Sequence, residues 1–257
     1  VTNRGRLLLF GVGALGLAVL VLVAVLGLPH FGLDAGPYAR LADAVAPAER
    51  HVTEAVGAVT FDIRAVDSLG EEAILFAAVA GVAIVLEPRG SEAESPAEER
   101  AEREGHGRVD TSETIALVAL ALLPCAALLG LSVIGHGLLT PGGGFQGGVI
   151  VSAALLLLFV GGDRNAFHHG LPEPPFEAFD GAGLGSYAVI GVVGLVGGVA
   201  LFDNVFSFGQ FGRLTSGGMM PLLSVAVGLE VTAGTTLVVR SFLDRLVRLS
   251  TRRRLGG

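Results

Sequence analysis

Gly135–Phe159 reads GHGLLTPGGGFQGGVIVSAALLLLF. A polar, glycine-dense knot from Thr140 to Gly148 runs directly into an apolar segment. Pro141 lacks an N–H, and each of Gly142, Gly143, Gly144, Gly147 and Gly148 costs about 1 kcal/mol relative to alanine inside a helix. The chain therefore turns here and re-enters an apolar environment as a helix. Irregular backbone at membrane depth is tolerated only where protein or trapped water covers it. The knot is thus expected to be a tightly packed helix entry, its glycines letting neighbouring helices approach.

The rest of the chain fits that reading. Its 257 residues are 51% hydrophobic, with a mean hydropathy of +0.68. The charges are clustered and leave long uncharged runs, which defines the polytopic membrane class. The net charge of −7 averages an acidic linker against an arginine-rich C-terminal stretch. Lysine is absent. The single cysteine, Cys125, lies in an apolar run and excludes an intrachain disulfide.

Apolar runs predict about six transmembrane helices, at 7–28, 70–86, 114–134, 145–161, 184–202 and 219–243. Two precede the charged, proline- and glycine-bearing stretch 89–112 and four follow it. The division is 1–88, linker 89–112, helical domain 113–244 and basic tail 245–257. Pro124 predicts a kink in the third span. Gly194 and Gly198 form a GxxxG pair suited to close helix approach. Arginines concentrate at the N-terminus, the linker and the C-terminus. An even number of spans puts all three on one side, so both termini are expected in the cytoplasm of a multi-pass cell-membrane protein.

Glu230 lies midway along the last span, in PLLSVAVGLEVTAG. Such a group faces a bundle interior or a water path. It carries protons, or it makes a structural hydrogen bond to a neighbouring helix. Asp67 and Glu71 are four residues apart and share a helix face. They contact ions or protons, or they are acids placed on a helix dipole. His136, at the end of the third span, is either a relay partner or an interfacial histidine. His168-His169 with Glu173 has no metal-ligand spacing. The Gly142–Gly148 run lacks the Lys-Ser/Thr ending of a phosphate loop. No catalytic constellation, haem set or iron–sulfur set is evident. Neither an enzymatic role nor a cofactor or metal is expected, and nucleic acid is not expected as a partner.

HGLLTPGGGFQGGVIVSAALLL together with MMPLLSVAVGLEVTAG resembles the B subunit of multisubunit Mrp-type Na+/H+ antiporters, the MnhB domain. VTFDIRAVDSLGEEAILFAAVAGVAIVL resembles the C-terminal end of the Mrp A subunit and a two-helix subunit of membrane-bound hydrogenases. Asp62, Arg64, Asp67, Gly70 and Glu71 match that second pattern, whereas Ile63 and Ala65 replace an aromatic residue and a glycine. The resemblance implies a fusion of an A-subunit tail with a B subunit, acting as an accessory subunit of a monovalent cation (Na+)/proton antiporter. It implies large A- and D-like and small C-, E-, F- and G-like partner subunits. It also raises the weight of Asp67 and Glu71 in transport or assembly. The alternatives are a membrane-arm subunit of a hydrogenase or other complex I-like oxidoreductase, and a purely structural scaffold.

Overall fold

The computed structural model describes residues 3–28, 36–87, 112–161 and 172–255. The chain divides into two compact units, Val1–Leu41 and Ala42–Gly257. In the first, α1 (Asn3–Leu26) carries an uninterrupted apolar stretch, Phe10–Leu26. Helix α2 (Gly36–Ala48) begins in that unit. Of the 89–112 linker only Ser112 is among the described residues, and His168 and His169 lie outside them.

The second unit is a helical bundle built on the glycine knot. Helix α5 (Glu113–His136) starts at Ser112, whose hydroxyl accepts the Ile115 N–H at 3.3 Å. It ends where the Leu139 and Thr140 N–H groups turn back onto the His136 carbonyl. Gly142 (φ 147°) and Gly143 (φ 129°) then adopt left-handed backbone that a side chain would strain. Helix α6 (Gly144–Val160) follows at once. Its first turn is pressed against α8 (Met220–Leu255), since a Cβ at Gly144 would lie 2.8 Å from the Gly228 nitrogen. One turn on, a Cβ at Gly147 would lie 2.6 Å from the Gly130 carbonyl of α5. The knot thus seats α6 between two helices at backbone contact distance.

Residues 52–64 hang from the other side of the knot. The Thr53 and Glu54 N–H groups both donate to the Leu138 carbonyl, at 3.1 and 3.2 Å. The Glu54 carboxylate caps the short α3 (Ala55–Ala58), and a π-helical turn, Val59–Ile63, follows. Arg50 secures that turn by pairing with Asp62 at 2.5 Å while its guanidinium lies 5.2 Å from the centre of the Phe208 ring. The turn breaks at Arg64, and α4 (Ala65–Leu86) begins, five residues before the apolar run predicts.

The fifth span departs most from expectation. Helix α7 is Glu173–Gly197 rather than 184–202. Pro174 and Pro175 occupy its first turn, where a missing N–H costs nothing, so the proline-rich stretch starts the helix instead of delaying it. Gly198 leaves helical geometry (φ −118°, ψ −142°) and ends it. Helix α8 continues through the arginine-rich stretch expected as a tail.

Among the described residues, four helices are long and apolar enough to cross a membrane: α4, α5, α7 and α8 over Met220–Leu246. Helix α6 and the apolar part of α1 are shorter. No strand occurs among the described residues. The protein is an all-α polytopic membrane protein. Helix α8 is its central member, packed against α4, α5, α6 and α7.

Candidate functional site

Three helices each bring one acid to the centre of the bundle. Glu230 of α8 is 0% exposed, Glu72 of α4 is 2% exposed and Asp180 of α7 is 3% exposed. Glu72, Asp180 and Glu230 lie close enough for each carboxyl to feel the charge of the other two.

Reciprocal glycines make that meeting possible. Gly183 of α7 lies under Glu230, where an added Cβ would sit 2.7 Å from the Glu230 nitrogen. Gly234 of α8 lies under Asp180, where an added Cβ would sit 2.8 Å from Oδ1. Each helix therefore offers a carboxyl over the other's missing side chain. The same contacts fix direction: α7 runs antiparallel to α8. Helix α4 runs parallel to α8, since Val79 follows Glu72 as Gly234 follows Glu230.

The cluster's polar demand is unmet among the described residues. Glu72 Oε2, Asp180 Oδ1 and both Glu230 oxygens are buried without a hydrogen-bond donor among the described residues. Buried carboxyls this close need a proton or a cation between them, because unpaired charge in an apolar interior costs many kcal/mol. A cavity of about 500 Å³ lies between α4, α7 and α8 and reaches Asp180. Asp180 lines it together with Glu87, Glu173, Glu177, Asp244 and Arg245. Arg240 pairs with Glu173 at 3.1 Å, tying α7 to α8 beside it.

Tyr187, fully buried one turn beyond Gly183, donates to the Ala65 carbonyl at 3.1 Å. It ties α7 to the broken start of α4, adding a second bond to a first-turn carbonyl. Tyr187→Phe is expected to lower stability in detergent by about 0.6–1.5 kcal/mol, read as an earlier thermal transition.

The other expected residues are placed apart from the cluster. Asp67 is exposed and pairs with Arg64. Glu71 is exposed on the face of α4 that turns away from Glu72. His136 is exposed, its Nδ1 2.9 Å from the Ser132 carbonyl. Pro141, Gly142, Gly143, Gly144, Gly147 and Gly148 form the knot and the helix entry. Gly194 and Gly198 receive the chain's own following loop: a Cβ at Gly194 would meet Asp203 at 2.7 Å, and one at Gly198 at 2.5 Å. Glu72 and Asp180 were not singled out by sequence. Their signals were the helix faces Ala65-Ser68-Glu72-Val79 and Asp180-Gly183-Tyr187-Gly191-Gly194, all buried and mostly at three- and four-residue spacing.

The fold and the site together define an all-α polytopic membrane bundle with three buried carboxyls at its centre. Residues 114–237 match the family model described as a domain related to the MnhB subunit of Na+/H+ antiporter, and the chain belongs to that family. It is 32% identical over 198 residues to an uncharacterised protein of Methanocaldococcus jannaschii, covering 70% of this chain and 72% of that one. A chain of the archaeal membrane-bound sulfane sulfur reductase, a respiratory membrane complex, aligns with a TM-score of 0.67 and 28% identity. That alignment covers 93% of this chain and 98% of the other. A chain of the Mrp complex from Dietzia sp. DQ12-45-1b shares the fold, with a TM-score of 0.65 and 21% identity. There the match covers 94% of this chain and 26% of that one. The protein is a multi-pass membrane subunit of an Mrp-type antiporter or a related complex.

Proposed function

We propose that this chain is an accessory subunit of a monovalent cation (Na+)/proton antiporter, and that Asp180, Glu230 and Glu72 are its segment of the proton or cation path. The observation that carries this reading is the meeting of three buried carboxyls, without donors among the described residues, one of which, Asp180, lines a cavity with polar side chains. A proton entering from the cavity reaches Asp180 first. It passes to Glu230 and on to Glu72 of α4. Each carboxyl both accepts and donates a proton, and water drawn in from the cavity bridges any gap that the side chains leave. The chain itself performs no bond-making chemistry in this reading, needs no cofactor, and works beside large A- and D-like and small C-, E-, F- and G-like subunits.

The orientation proposed is cytoplasmic for the end of the bundle that holds the start of α5, the end of α6, the start of α7 and the end of α8. The arginines of α8 after Asp244 support it. Residues 1–88 then act as the segment resembling the end of an A subunit, fused to the MnhB-like helices. A second reading, the same path in a respiratory complex, is favoured by the nearly full-length match to the sulfane sulfur reductase chain.

Asp180→Asn tests the path in the intact complex reconstituted in vesicles. Cation-dependent ΔpH formation is expected to fall about tenfold or more while every subunit co-purifies. Unchanged flux through an intact complex would sink the relay. The subunit inventory of the purified complex separates the two settings: antiporter-type subunits alone, or redox subunits beside them.

A further inference from the structure

Glu71 and Glu72 are neighbours on α4, so they lie at nearly the same depth, about 1.5 Å apart along the axis and about 100° around it. Glu72 lies near Glu230, roughly 15 Å into α8 at about 1.5 Å per residue. Glu71 therefore stands at the depth of the buried cluster, on the outside of the bundle. The face it heads is Glu71-Ile74-Ala78-Gly81-Val85, a stripe at three- and four-residue spacing. Gly81, and Gly70 beside Glu71, have nothing within 4 Å of an added Cβ. Unlike Asp67, which Arg64 satisfies, Glu71 pairs with no described basic side chain.

We propose that this face of α4 is a subunit interface, and that its occupant is a transmembrane helix of a different subunit bearing a lysine or arginine opposite Glu71. Lipid is a poor occupant, because acyl chains solvate no carboxylate. A second copy is also poor: a two-fold α4–α4 contact sets Glu71 against Glu71, and this chain has no lysine to offer. The apolar stretch of α1, Phe10–Leu26, carries no basic residue. A helix with small side chains of its own would close on Ala78 and Gly81, and its cation would neutralise Glu71.

The test uses the whole complex, with a photo-crosslinking benzophenone residue in place of Ala78 and mass spectrometry of the products. The expected adduct is on a lysine- or arginine-bearing membrane segment of another subunit. Glu71→Arg is expected to reduce co-purification of that subunit about tenfold, and exchanging its basic residue for glutamate is expected to restore it. Adducts only to lipid, to α1 or to a second copy would overturn the proposal, as would full co-purification with Glu71→Arg. If the Glu71→Arg chain does not accumulate, Glu71→Gln decides. The Ala78 adduct is expected to weaken while a control adduct at Val192 on α7 holds, and an unchanged Ala78 yield rejects the interface. Co-purification and flux are separate readouts, so failure of the relay and failure of this interface are told apart.

Discussion

The Glu230→Gln complex is expected to assemble fully and to lose about a hundredfold of its cation-dependent proton flux, the scale of removing a positioned proton-transfer group. Glutamine keeps the volume and hydrogen-bonding reach of glutamate, so the fully buried site stays filled. What it loses is exchange: its amide cannot take up and release a proton as Glu72 and Asp180 present one. Its N–H groups would instead donate to those two neighbours, which have acceptor oxygens without donors among the described residues. Stability in detergent should therefore hold or rise by about 1 kcal/mol. A purely structural carboxyl would behave otherwise, with flux surviving wherever assembly survives. Vesicle ΔpH measurements alongside the subunit inventory distinguish the outcomes, and normal flux in Glu230→Gln would remove the relay from consideration.

Gly144→Leu is expected to prevent assembly altogether. Even the first added carbon would collide with the Ser224 carbonyl and fall 2.7 Å from Val227 Cβ and 2.8 Å from the Gly228 nitrogen. Two of those three neighbours are backbone and cannot rotate away. Helix α6 would have to lift from α8, breaking the Ser152–Thr236 hydroxyl bond at 3.0 Å and the Thr232 bond to the Gly148 carbonyl at 3.3 Å. The milder Gly144→Ala should still cost about 3 kcal/mol, the upper range for overpacking. Gly135 belongs to the same glycine-rich stretch but has nothing within 4 Å of an added Cβ. Gly135→Ala, in the last turn of α5, should leave stability unchanged or raise it by up to about 1 kcal/mol. Equal thermal stability of Gly144→Ala and Gly135→Ala in detergent would show that the close contact carries no energy.

Much of the bundle is legible in the chain because apolar length is a direct requirement of the bilayer. Glu230 is legible for the same reason, as an ionisable group inside such a run. Its partners are not. Asp67 and Glu71 attract notice by their four-residue spacing, yet a helix turns about 100° per residue, and the adjacent Glu72 points inward. Only the buried small residues around it, Ala65 and Ser68, mark that inner face. Asp180 is obscured by the prolines upstream, which read as loop but serve as a helix start. The Gly194–Gly198 spacing announces close approach without naming the visitor, and the visitor is the chain's own loop at Asp203. Faces and partners are set by tertiary contacts that spacing alone leaves open.

Helix α8 is the hub of the bundle, and the ribosome makes it after every helix that it organises. Until it enters the bilayer, Gly183 has no Glu230 backbone to receive and Asp180 has no Gly234 to rest on. The carboxyl cluster is therefore assembled in one late event during biosynthesis. A nascent chain stalled before α8 lacks Glu230, so the three carboxyls cannot meet in a half-made subunit.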